Sequence, residues 1–137
     1  MSDTFMRRWF DEVWNKNNEA AIDEMVASDC TIHGLTDIGG RPVPAREAFK
    51  QFHKNFRALF STLSITIQSS IEKPNGETTS KCLGEGILKA SGKKVKFHGE
   101  ATIRVTNDQI SYADNEFDLR EIEQHTGLNL SPPAPPR

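Results

Sequence analysis

Apolar residues recur with a helical period in the first part of the chain. From Asp3 to Asn17 they fall at Phe5, Met6, Trp9, Phe10, Val13 and Trp14, spaced i, i+1, i+4, i+5, i+8 and i+9, with Asp3 placed as a cap. This pattern predicts an amphipathic helix with an aromatic face. Ala21, Ile22, Met25 and Val26 mark a second short helix, and Cys30 to His33 reads as a short strand. Gly39, Gly40 and Pro42 make residues 34–43 a loop. The third helix then carries Phe49, Phe52, Phe56, Leu59 and Phe60 on one face and ends near Ser61.

Beyond Leu63 the period changes to two. Leu63, Ile65, Ile67 and Ile71 alternate with polar residues as far as the Pro74-Asn75-Gly76 turn. Residues 78–90 predict a strand that bulges or bends at Gly84 and Gly86. In the next strand Val95, Phe97, Gly99, Ala101, Ile103 and Val105 alternate with polar residues up to an Asn107-Asp108 turn. A last strand runs from Gln109 to about Phe117, followed by a short helix that stops at Gly127. Helices set apart from a run of antiparallel strands predict an α+β fold. Its antiparallel sheet is expected to curve into a cone around the long aromatic helix. The domain is expected to span residues 4–127, leaving 128–137, rich in proline, as a disordered tail.

Such a cone has more inward aromatic surface than a thin core needs. Trp14, Phe10, Phe49, Phe52, Phe56 and Phe97 therefore read either as solid core or as the wall of a pocket for a small apolar molecule. Composition narrows the partners. Across 137 residues, 17 basic and 19 acidic side chains are interspersed, which argues against nucleic acid and anionic membranes. There is no run of 18 apolar residues and no hydrophobic stretch in residues 1–8, so a cytoplasmic location is expected. Cys30 and Cys82 read as reduced structural thiols, and no His or Cys pair falls at metal-ligand spacing. Neither a metal nor a cofactor is expected.

Several blocks of the chain are familiar in their residues. Arg7-Arg8-Trp9-Phe10-Asp11-Glu12-Val13-Trp14-Asn15, the segment 29–34 and Arg46-Glu47-Ala48-Phe49-Lys50 resemble the opening helix, first strand and third helix of SnoaL-like polyketide cyclases. Val95-Lys96-Phe97-His98-Gly99, Ile103-Arg104-Val105 and Asn115-Glu116-Phe117-Asp118 are similar to that family's long central strand and closing motif. The resemblance implies the cone-shaped fold of the nuclear transport factor 2 superfamily, commonly dimeric through the outer face of the sheet. It also implies a cofactor-free cyclase or isomerase acting on a carbonyl-containing molecule, with Asp118 as general acid and base. Asp114 stands where the family often has an aromatic residue, and the final helix is charged where the family's is apolar.

Two registers are open for the last hairpin. A two-residue turn pairs Ile103 with Tyr112, Ala101 with Asp114 and Phe97 with Asp118, placing the carboxylates among apolar residues beside small Gly99 and Ala101. A turn one residue longer places Asp118 opposite His98 and Arg104 near Tyr112. His33, at the end of the first strand, is a candidate second proton carrier. Tyr112, Asp114 and His98 complete the candidate substrate-binding set. The alternative is a non-catalytic ligand-binding or dimeric interaction module.

Overall fold

A computed structural model of the chain describes residues 2–37 and 41–128, with only the backbone of Ser2 and Asp3. Residues 129–137 of the expected tail, Gly39 and Gly40 of the expected loop and the side chain of the expected Asp3 cap lie outside what is described. The element order is α1 (Ser2–Arg8), a π-helical segment (Trp9–Asn15), α2 (Glu19–Met25), β1 (Val26–His33), α3 (Arg46–Arg57), β2 (Phe60–Glu72), β3 (Glu77–Leu88), β4 (Lys94–Thr106), β5 (Gln109–Phe117) and α4 (Arg120–Thr126). Five strands form one curved, open sheet in the order β1-β5-β4-β3-β2. β1 runs parallel to β5, and the other neighbours are antiparallel. The sheet is thus mixed, because β1 enters it from the helical half of the chain.

The opening helix is not α-helical throughout. From Trp9 it widens into a π-helix, marked by the Lys16 N–H bonding the Asp11 carbonyl five residues back at 2.8 Å. The Asn18 N–H goes to the Glu12 carbonyl, and the Val13 carbonyl bonds His53 Nε2 on α3 at 2.7 Å. Asn15 closes the other side. Its Oδ1 accepts from the Ile65 N–H at 2.6 Å and its Nδ2 donates to the Ile65 carbonyl at 3.1 Å. One side chain thereby caps part of the edge strand β2, where backbone groups otherwise lack a strand partner. These two ties hold Trp9, Phe10, Val13 and Trp14, all buried, against α3 and the sheet.

The expected third helix is shorter than its apolar pattern. α3 stops at Arg57, and Phe60 already belongs to β2, so the helical spacing of Leu59 and Phe60 is coincidental. Nor do Gly84 and Gly86 produce a bulge. Pairing of β3 with β4 is continuous through both, and the register shifts of this region lie in β2. The glycines instead receive aromatic rings: a Cβ on Gly84 would run into the Phe97 ring, one on Gly86 into Phe60, and one on Gly99 into Phe117.

The outer sheet face is polar and charged, with Lys81, Glu100, Glu116, His98, Asp114 and Arg104 along its rows. Ile71 is the exposed large hydrophobic residue among those described. No described helix is long and apolar enough to cross a membrane.

Two outcomes test this packing. Gly84→Ala should destabilise the fold by about 1–3 kcal/mol through overpacking against Phe97, read by urea unfolding. His53 is 1% exposed, and burial pushes its imidazole below the ordinary histidine range, partly opposed by the Val13 bond. Folding therefore favours the neutral ring. The stability it contributes is present above the unfolded value of about 6.5 and is lost as pH falls below it. Unfolding at about pH 5 should need less urea than at neutral pH, and His53→Gln should flatten that dependence. An unchanged slope in the variant would assign it to other groups.

Candidate functional site

The cavity lies between the inner sheet face and the aromatic sides of the π-helix and α3. Trp9, Phe10 and Trp14 come from the first, and Phe49, Phe52 and Phe56 from the second. The sheet supplies Ile32, Ile65, Phe97, Ala101, Ile103, Ile110, Ala113, Asn115 and Phe117, with Val26, Leu35 and Leu119 at the margins. The rings interlock. Trp14 meets Phe49, Phe52 and Phe56 edge-on at centroid distances of 5.9, 6.2 and 5.8 Å, and Phe97 meets Phe56 and Phe117 edge-on at 6.0 and 6.2 Å. The imidazole of His53 packs behind Trp14 at 4.8 Å, outside the cavity. The cavity is partly open, with a volume of about 60 Å³.

That volume is smaller than the small residues on the sheet suggest. Small Gly99 leaves no open space, because the Phe117 ring lies over it. A cavity of roughly 150 Å³ is known to admit benzene, so a ring-sized occupant here requires a wall residue to move. Phe117 is the aromatic wall residue that is only half-buried, the others being buried.

Six residues predicted to bind a ligand line this cavity: Trp14, Phe10, Phe49, Phe52, Phe56 and Phe97. The other five predicted site residues do not. The Asn107-Asp108 turn has two residues, both at positive φ, as the first register requires. A bulge at Ser111 then shifts the pairing from Val105–Ile110 to Arg104–Tyr112, and the rest of β5 follows the second register. Ala113, Asn115 and Phe117 consequently face inward, while Tyr112, Asp114, Glu116 and Asp118 face outward.

His33 is paired with Asp114 on that outer face, and its ring is 5.6 Å from that of Tyr112. Arg104 lies 5.8 Å from the Tyr112 ring on the other side. His98 and Asp118 meet across β4 and β5, where the Asp118 N–H bonds the His98 carbonyl at 2.9 Å, in a shallow outer groove with Glu100, Glu116 and Arg120. His33, Tyr112, Asp114, His98 and Asp118 therefore lie outside the cavity lining: the bulge turns the three β5-side residues outward, and His98 follows the alternation of β4.

Asp118 is exposed and committed to Arg120. Its Oδ1 accepts from Arg120 Nε at 2.9 Å and from the Arg120 backbone N–H at 3.2 Å, and its Oδ2 from Nη2 at 2.7 Å. These bonds hold its carboxyl down at about 2, well below the usual carboxylate range. A general acid or base near neutrality needs a shift in the opposite direction. The buried thiols are inert by the same reasoning, since burial pushes Cys82 up to about 12 and also raises Cys30. Among the described residues no group of His, Cys, Asp and Glu is arranged to hold a metal.

Sequence reasoning missed Asn115 as a cavity residue. Its side chain lines the cavity from β5, and its Nδ2 donates to the His33 carbonyl at 3.1 Å. Gly34 makes that approach possible: it has φ +85°, and a Cβ there would run into the Asn115 carbonyl. Asn115 was visible only as part of the closing motif. Its direction depends on the Ser111 bulge, which nothing in the alternation of residues announces.

Comparison with known proteins bears on this fold. Among solved structures, IdmH from Streptomyces antibioticus is similar over 91% of this chain and 97% of its own, with a TM-score of 0.74 and 16% identity. A protein of ketosteroid isomerase-like fold from Catenulispora acidiphila, in complex with trimethylamine, is similar over 91% and 93%, with a TM-score of 0.72 and 17% identity. At such identities the likeness shows the fold alone. No curated protein matches the chain. The family model described as SnoaL-like polyketide cyclase matches residues 4–125, nearly the whole described length. The chain belongs to the SnoaL-like polyketide cyclase family.

Proposed function

We propose that this protein holds a small, uncharged, largely apolar molecule in its internal cavity and performs no proton-transfer chemistry on it. One observation carries the reading: among the described residues lining the cavity, none has a titratable side chain. The wall consists of Trp, Phe, Ile, Val, Leu and Ala residues with Asn115. Acid-base catalysis requires a proton carrier within hydrogen-bond reach of the reacting atom. The predicted carboxylates, His33 and His98 are on the other side of the sheet, His53 lies behind Trp14 outside the cavity, and Asp118 is held ionised by Arg120. An apolar wall around a charged ligand would also strip its hydration without replacement. The family's cyclase chemistry is thus represented here by its container, with the closing-motif aspartate serving to anchor the start of α4.

Both tryptophans of the chain line the cavity, so intrinsic fluorescence reports on its occupancy. Titration with toluene should quench it saturably and raise the melting temperature, as binding to the native state alone must. Phe117→Ala, which opens the half-buried part of the wall, should strengthen binding of two-ring compounds such as naphthalene. Asp118→Asn should leave toluene binding unchanged. Turnover of a cyclisable carbonyl compound that disappears in Asp118→Asn would overturn the non-catalytic reading, and the absence of saturable quenching would overturn the binding reading itself.

A further inference from the structure

The cavity wall presents one polar amide, and the way that amide is tied down limits what it can recognise. Asn115 Nδ2 donates to the His33 main-chain carbonyl at 3.1 Å. A carbonyl only accepts, so the amide orientation is fixed: nitrogen toward β1, oxygen away from it. One Nδ2 hydrogen is thereby used. Among the described residues nothing bonds Oδ1, and both of its lone pairs remain available where the side chain borders the cavity.

The tie is built into the backbone. β1 and β5 run parallel here, with Ile32 beside Ala113 and His33 beside Asp114, and the chain then leaves β1 through Gly34 at φ +85°. Gly34 sits so close to the Asn115 carbonyl that no Cβ fits between them. The amide therefore cannot turn over to present its nitrogen without abandoning the His33 carbonyl.

We infer that Asn115 is the specificity-determining residue of the cavity and that it selects a neutral ligand carrying a hydroxyl on a single ring, a small phenol, in preference to a carbonyl or ether of the same size. This rests on the cavity-binding reading given above. A hydroxyl donates to Oδ1 and can accept from the remaining Nδ2 hydrogen, whereas a carbonyl or ether oxygen only accepts and makes no bond to Oδ1. Size points the same way. With a cavity volume of about 60 Å³ and Phe117 as the half-buried wall residue, one displaced ring admits one ring. The uncharged wall admits the phenol and not the phenolate.

The test compares phenol, anisole and toluene on the full chain by tryptophan quenching and calorimetry. Phenol should bind about tenfold more tightly than either of the others, the scale of one added hydrogen bond. In Asn115→Leu, the preference should vanish while toluene binding persists. The comparison among ligands on the unaltered protein stands whether or not that variant folds. Anisole binding as well as phenol would assign recognition to the amide hydrogen and overturn the inference. Equal binding of all three would remove Asn115 from recognition while leaving cavity binding intact. A phenol preference surviving in Asn115→Leu would place the selecting group elsewhere. No binding of any of the three would overturn the cavity reading and this inference together.

Discussion

The position of one unpaired residue, Ser111, decides which chemistry faces the interior. The hairpin between β4 and β5 closes through a two-residue turn with Thr106 opposite Gln109 and Val105 opposite Ile110. With strict alternation from there, Tyr112, Asp114, Glu116 and Asp118 would point inward. The bulge at Ser111 inverts the order. Its hydroxyl is anchored locally, donating to the Arg104 carbonyl at 3.1 Å and lying 3.0 Å from Thr106 Oγ1. Three carboxylates and a tyrosine are thereby turned outward, and the inner face of β5 becomes Ala113, Asn115 and Phe117. The alternative would bury carboxylates in a wall that offers no cation among the described lining residues, a cost of several kcal/mol per charge unless each were protonated.

Once β5 is set, the aromatic residues fall into place around it. Phe117 covers Gly99 on β4, Phe97 covers Gly84 on β3, and Phe60 covers Gly86. Glycine on a sheet face offers no side chain to pack, and here an adjacent ring fills each gap. The opposite wall is set by the π-helix. Its wider turn leaves the Val13 carbonyl to His53, and His53 in turn backs the Trp14 ring. Two histidine contacts and the Asn15 clamp on Ile65 therefore position a wall that none of those polar side chains joins.

Much of this was legible in the sequence. The alternation of β4, the Asn107-Asp108 turn, the three N-terminal helical patterns and the aromatic face of α3 each follow from local chemistry, and the family blocks agreed with them. The aromatic lining of the cavity followed too, because Trp14 and the phenylalanines have one face on which to be buried. The polar half did not. A bulge costs one residue of register and carries no composition of its own, so the alternation alone left two registers open for Tyr112, Asp114 and Asp118, and Ser111 decides between them. The π-helix was hidden for a similar reason: its apolar spacing fits an α-helix equally well, and the carbonyl it frees is claimed by His53, forty residues further along the chain. Long-range hydrogen bonds of this kind leave no periodic trace.

The same parity argument separates family from activity. Membership fixes the container, since the order of elements and the inward aromatic set follow from packing that many sequences satisfy. Chemistry depends on single inward positions on β5 and on what each one carries. Here the inward polar position holds Asn115, whose amide stays uncharged at every accessible pH, while the adjacent carboxylates are separated from it by the thickness of one strand. A uncharged amide can orient a ligand but cannot remove its proton. On the proposed reading, a cone with this wall recognises an edge of a small molecule, and the step from recognition to catalysis would take one inward side chain that can carry a proton.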